Sequence, residues 1–218
     1  VQVEIFSDVV CPWCALGKRR FERALADFPH RDEVEVVWRS FELDPSAPDH
    51  SDPDVADHLA RKYGVPRAQI LKSQAQLTDL GAAEGLVYRF ELTRRTNTFD
   101  AHRLLHHAYE VGDQNALKSR LLEAYFSEGA DVGDHDTLVR LAADVGLDPE
   151  TAAEILRSGA YGPEVRADEE AARAFGISGV PFFVVNRRIG ISGAQAVGVF
   201  RNALDEAWAR AHPARTGS

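Results

Sequence analysis

Cys11-Pro12-Trp13-Cys14 holds both cysteines of this 218-residue chain, and two thiols separated by two residues can close and reopen a small disulfide. What such a pair does depends on where its first sulfur stands. An apolar stretch at residues 1–6 reads as a strand leading into the motif. After the motif the pattern turns helical: Phe21, Ala24, Leu25 and Phe28 recur at helical spacing, while Lys18, Arg19, Arg20, Glu22 and Arg23 fall largely on other faces and Pro29 ends the run. This predicts a helix over 12–28, with Cys11 near its N-cap, Cys14 in the first turn, and Pro12 at an early position where its missing amide costs little. Unpaired amides and the helix dipole favour a thiolate there, so Cys11 is the expected attacking thiol and Cys14 the expected resolving one.

Other uses of a C-x-x-C pair fit less well. A four-coordinate zinc site needs more soft ligands, and the chain has no third cysteine and no histidine pair at zinc-finger distance from the motif. A purely structural bridge closing so short a loop would restrict the unfolded chain little. His102, His106 and Glu110 share one helical face, but Arg103 follows His102 where an H-E-x-x-H helix has its glutamate; a solvated face without metal is the expectation.

A second anchor lies far away, at Ser178-Gly179-Val180-Pro181-Phe182-Phe183-Val184-Val185-Asn186, an apolar β-rich run opening with proline. A cis bond before Pro181 would present the Val180 backbone as an edge for an extended peptide or thiol ligand. An ordinary trans proline at a strand start is the plainer alternative.

Strand, C-P-W-C, helix and a late G-V-P-F-F together resemble the DsbA branch of the thioredoxin superfamily. Ser7-Asp8, Phe41-Glu42-Leu43, Asn97-Thr98 with Ala101-His102-Arg103-Leu104, and Ser192-Gly193-Ala194-Gln195 extend the resemblance to the FrnE-like DsbA oxidoreductases over nearly the whole chain. It implies an α/β, thioredoxin-like fold with a large all-helical insertion. It also implies Cys11, Cys14 and Pro181 as catalytic positions, with Pro12, Trp13, Val180, Asn97 and His102 as substrate contacts. In such relatives the segment at 97–102 faces the cleft; by its residues alone it reads as a helix cap. The same branch includes glutathione-dependent isomerases and transferases, so fold is named more firmly than reaction.

The rest of the pattern must position these residues. A strand is expected at 34–41, then proline and aspartate cluster up to residue 54 and mark a boundary. Helices are expected near 53–63, 66–81, 98–111, 114–127, 134–145, 149–158 and 162–175, with Gly112, Gly129, Gly146 and Gly176 as stops. A run this long is too long for a loop. The expected organisation is a thioredoxin-like first part at 1–48, a helical insertion at 49–176, and a second thioredoxin-like part at 177–218 with a hairpin at 180–191 and a closing helix at 195–211. Amides at Ser192-Gly193-Ala194 offer themselves to a carboxylate such as that of glutathione. Asp8 reads either as a proton acceptor for Cys14 or as an exposed turn residue, the turn being slightly favoured.

Composition bounds the partners. With 44% apolar residues the chain can bury a core, and a net charge of −9 leaves no basic footprint for nucleic acid or anionic lipid. No stretch has the length of a membrane span and no signal pattern precedes the first strand, so the expected location is cytoplasmic; the lack of any methionine leaves room for a removed leader. The expected activity is disulfide exchange with protein or peptide thiols. Alternatives are a glutathione-dependent isomerase or transferase of the kappa or hydroxychromene-carboxylate isomerase type, and a non-catalytic binding module. No cofactor is expected beyond the redox-active disulfide, with glutathione as a candidate co-substrate.

Overall fold

β1 (Gln2–Ser7) is buried along nearly its whole length because it runs through the interior of a mixed sheet. β2 (Glu35–Ser40) pairs with it in parallel, setting Ile5 opposite Trp38, and β3 (Phe182–Val185) pairs antiparallel on the other side, setting Ile5 opposite Phe183. β4 (Ile189–Ser192) completes the hairpin and the order β2-β1-β3-β4. The computed structural model describes residues 1–48, 55–112 and 114–213.

Side chains alternate across β1, so Val3 and Ile5 face one layer while Glu4 and Phe6 face another. On the first side, α1 (Pro12–Ala26) packs with α9 (Val197–Ala211), and Phe21, Phe28, Phe183, Phe200 and Leu204 fill the space beneath them. On the second, Phe6 meets Ala172 of α8 (Gly162–Ala174), Ile177 and Val184. Between β2 and α8 come α2 (Val55–Tyr63), α3 (Arg67–Ala83), α4 (Phe99–Val111), α5 (Gln114–Glu123), α6 (His135–Asp144) and α7 (Pro149–Ser158). The chain is a thioredoxin-like α/β fold carrying a large helical insertion. Among the described residues no helix is long and apolar enough to cross a membrane.

The insertion has its own core, in which Leu104, Leu105, Leu117, Leu121, Leu138, Leu141 and Leu156 are buried, each contributing about 1.5–3 kcal/mol. Val9 and Ala15, on either side of the two cysteines, belong to that same core. Apolar packing therefore presses the insertion against the dithiol turn. Side-chain caps set several helix starts: Asp134 accepts from the Thr137 amide and Asp148 from the Thr151 amide, each at 2.8 Å. Gly112 ends α4 at φ 93°, a conformation other residues rarely adopt.

Boundaries differ from expectation where tertiary contacts compete. α1 stops at Ala26 rather than 28, because the residue before Pro29 is kept out of the helical region. The helix expected over 114–127 is α only to Glu123 and then widens into a π turn (Ala124–Glu128), which lets the Phe126 carbonyl accept from Arg89 at 2.8 Å. The closing helix begins at Val197 instead of 195, since the Gly193 amide folds back onto the Pro181 carbonyl at 2.8 Å. Short 3-10 turns at Arg31–Glu33 and Phe90–Leu92 were not expected; single turns carry no periodicity to read. The boundary at 48/49 and the first residues of the helix expected from 53 lie at or outside the described residues.

Candidate functional site

Cys11 is the N-cap of α1, with φ −95° and ψ 113°, and its Sγ accepts from the Cys14 amide at 3.3 Å. The thiol donates to the Val180 carbonyl at 3.6 Å, and the Val180–Pro181 bond is cis. Both cysteines are free. Cys11 is 3% exposed and Cys14 not at all, whereas Trp13 between them is 45% exposed.

Gly17 explains how motifs 170 residues apart meet. A Cβ there would stand 2.9 Å from Pro181 Cγ and 3.4 Å from the Phe183 ring, so α1 can lie against the Pro181 loop only because this residue has no side chain. A helix-interior glycine costs about 0.5–1 kcal/mol relative to alanine, a cost borne here for close approach.

Beneath the cysteines lies a group of buried charges. Asp8, fully buried, accepts from the amides of Val9 at 2.7 Å and Leu43 at 2.8 Å and faces His102 Nε2 at 3.3 Å. Lys118 on α5 is 1% exposed, and its ammonium stands 5.6 Å from the centre of the Trp38 ring. Burial lowers the Lys118 pKa to about 8, although the nearby Cys14, Asp8 and Cys11 charges favour its protonated form. Burial likewise lowers the His102 pKa, so the imidazole is neutral and donates to a charged Asp8; the pair is a hydrogen bond rather than an ion pair. The Asp8 carboxyl sits below its usual range: burial opposes ionisation, but His102 and the Leu43 amide outweigh it.

The Cys11 thiol is pushed well up, first by its hydrogen bond with Cys14, then by burial and by the Cys14 and Asp8 charges; the Cys14 amide acts in the opposite direction. The helix start thus supplies one stabilising amide, as expected, without making the intact pair acidic. Two thiols in contact do not ionise together, and the proton that remains is held firmly.

Several expectations need correction. His102 does not face the cleft: it is 1% exposed and turned inward to Asp8. Asp8 is not an exposed turn residue. The face carrying His102, His106 and Glu110 is not uniformly solvated, since His106 Nε2 reaches Ser40 Oγ and Asp168 Oδ2, both at 3.1 Å, and Glu110 accepts from Tyr161. Asn97 acts as a brace: its Oδ1 accepts from the Phe99 amide at 2.8 Å and its Nδ2 reaches the Ala47 carbonyl at 3.4 Å. The segment 192–194 does not open a helix, and the Gly193 amide is already used. Pro12 and Val180 are half-buried, and Val180 presents its carbonyl to the Cys11 thiol.

Two residues at the site were not anticipated. Lys118 stands on the apolar face of α5 with Leu121 and Leu122, and a lysine at a core position of that periodicity was the available signal. Tyr88 lies in a stretch without periodic pattern, and nothing in the sequence pointed to it.

Glu42, next to the Leu43 amide that binds Asp8, has a fully buried carboxyl; Oε2 accepts from Arg166 at 2.5 Å while Oε1 has no hydrogen-bond partner among the described residues. Burial, with Glu169 close by, raises its pKa to about 7 despite Arg166. A carboxyl raised above its unfolded value of 4.5 contributes stability in its protonated form, and that contribution is lost as pH rises from about 4.5 through 7. Glu42→Gln is therefore expected to raise stability at pH 8 by on the order of 1 kcal/mol and to flatten the profile between pH 5 and 8. Urea unfolding at both pH values checks this; an unchanged slope would show that Glu42 is charged throughout.

A DSBA-like thioredoxin domain model matches residues 2–205. The chain belongs to that family. Within the DsbA-like family it is similar to a probable DsbA oxidoreductase from Streptomyces coelicolor, at 46% identity and a TM-score of 0.91 over 100% of this chain and 94% of that one. It is 31% identical to the uncharacterized protein YwbO of Bacillus subtilis (strain 168), covering 94% of this chain and 96% of that protein. The cytosolic disulfide reductase DsbM from Pseudomonas aeruginosa shares the fold at 18% identity, with a TM-score of 0.66 over 95% and 98% of the two chains, and that protein has also been solved with GSH. The family is one of thiol oxidoreductases.

Proposed function

We propose that this DsbA-like protein exchanges disulfides with protein or peptide thiols, with Cys11 attacking and Cys14 resolving. The observation that carries this is a free, contacting pair at a helix start, in which Cys11 lies nearer the surface and beside the Val180 carbonyl. In the reductive direction the Cys11 thiolate attacks one sulfur of a client disulfide; a Cys11–client bond forms and the other client sulfur leaves as a thiolate that takes a proton. Cys14, having lost its proton, attacks Cys11 Sγ, closing the Cys11–Cys14 disulfide and releasing the second client thiolate. Two electrons pass from the pair to the client, and the oxidative direction is the reverse.

Trp13 and the Val180 backbone form the client-facing rim in this reading. Glutathione is the proposed small-molecule partner and the cytoplasm the proposed compartment: the fold uses its two cysteines only in the redox pair and needs no structural bridge. The direct test is equilibration of the Cys11–Cys14 pair against glutathione, with reduction of insulin disulfides alongside. No exchange in either assay would overturn the proposal.

The dipeptide between the cysteines tunes the pair. A histidine at position 13 would bring a donor or a positive charge near Cys11 that the exposed indole does not supply. Trp13→His is expected to lower the Cys11 pKa and move the potential in the oxidising direction by tens of millivolts, on the order of the spread between related dithiols. Thiolate absorbance against pH and glutathione equilibration measure the two quantities. A potential moving the other way would mean that Trp13 acts by packing and desolvation.

A further inference from the structure

Tyr88 takes no part in the exchange steps above, yet among the described residues it is the one side chain from outside the motif that bonds the backbone of residues 11–14. Its hydroxyl donates to the Pro12 carbonyl at 2.6 Å. The ring that carries this hydroxyl is 7% exposed and held on several sides. It stacks on Phe90 with centroids 5.3 Å apart and meets the edge of Phe126 at 5.1 Å. It also lies so close over α3 that a Cβ on Gly81 would come within 2.5 Å of Cε2. That absence of a side chain at Gly81 gives the ring its seat. The phenol oxygen is thus presented to the dithiol turn by the insertion in one fixed position.

Its location matters chemically. Pro12 is the first residue of α1, directly between the N-cap Cys11 and the turn that aims the Cys14 amide at Cys11 Sγ. Burial and the charges of Cys11 and Cys14 push the phenol's ionisation upward, which keeps the proton on the oxygen and the hydroxyl a donor.

We propose that Tyr88 is a positioning residue of the dithiol: its hydroxyl, seated by Gly81, Phe90 and Phe126, holds the Pro12 carbonyl and so maintains the first turn of α1 in the geometry that stabilises the Cys11 thiolate. Removing that donor leaves the Pro12 carbonyl with only the i+4 amide of α1, increases the negative potential near the sulfurs and frees the turn to relax. Both effects disfavour the thiolate, and a less stabilised reduced form makes the disulfide a weaker oxidant. The inference rests on the proposed redox role of the pair.

Tyr88→Phe keeps the ring and removes only the hydroxyl. Relative to wild type, its glutathione equilibrium is expected to shift about three- to tenfold toward the disulfide, the range that one hydrogen bond can supply. Thiolate absorbance should appear at higher pH. Tyr88→Leu, which also empties the seat, should show the same redox shift together with a lowered unfolding midpoint. If wild-type protein does not equilibrate with glutathione at all, the redox reading itself fails. If wild type equilibrates and Tyr88→Phe has the same constant within twofold and an unchanged thiol titration, the positioning role is overturned while the redox reading stands.

Discussion

Cys11→Ser is expected to abolish disulfide exchange, while Cys14→Ser retains the first step and accumulates mixed disulfides with client thiols. The asymmetry follows from access and from hydrogen bonding: Cys11 lies at the rim beside exposed Trp13 and the Val180 carbonyl, and its sulfur receives the Cys14 amide, whereas Cys14 is fully enclosed. The geometry adds a second expected result. Hydrogen bonding to the Cys14 thiol is the largest influence holding the Cys11 thiol up, so Cys14→Ser should leave a lone Cys11 that ionises at lower pH than in the intact pair. Alkylation at limiting reagent with mass spectrometric mapping, and thiolate absorbance across pH, check both points. Preferential labelling of Cys14 would reverse the two roles.

Asp8→Asn is expected to cost about 1–3 kcal/mol of stability at pH 7, the range for leaving a buried hydrogen-bond donor unsatisfied. The two carboxylate oxygens are both engaged, Oδ1 by Val9 and His102 and Oδ2 by Leu43, so an asparagine placed either way turns its NH2 toward a backbone N–H. It also removes the Asp8 charge, which favours protonated Lys118. The pH dependence has a defined sign. A carboxyl whose folded pKa is depressed below 3.8 contributes stability present above about pH 4 and lost as pH falls through the folded value. His102, depressed below 6.5, takes up its proton more readily in the unfolded chain, so it too makes acid destabilising, beginning below about pH 6.5. The Asp8 and His102 contributions should therefore decline from pH 6.5 downward, against the opposite contribution of Glu42 between about pH 7 and 4.5, and Asp8→Asn should lose the portion below pH 4. A loss under about 1 kcal/mol at pH 7 would mean that water reaches the carboxylate's partners.

Both experiments probe a site whose halves differ in how readable they were. Cys11, Pro12 and Cys14 carry a local signature, because a helix start with an early proline and a flanking apolar pattern is specified within about twenty residues. The helices of the insertion were likewise readable from periodicity and caps, including the Asp148-Pro149 start and the Gly112 stop. His102 and Asp8 were not. As sequence they are an ordinary helix-face histidine and an ordinary turn aspartate, and only packing of α4 against the loop after β1 buries them together. Long-range pairing of polar groups leaves no periodic trace, and burial is decided by what the other elements cover.

By itself the sequence determined the dithiol, its place at a helix start and the strand and helix order, since these depend on backbone propensity and short-range spacing; that the proline loop belongs with the dithiol was implied only by the family resemblance. Tertiary structure alone decided which charges lie beneath the sulfurs, that Gly17 lets α1 approach Pro181, and that Tyr88 reaches Pro12. The physical reason is that desolvation and close contact are properties of a surface formed by several segments at once. Burial lowers the ionisation of Lys118 and His102 in a way that no property of their neighbours in the chain encodes.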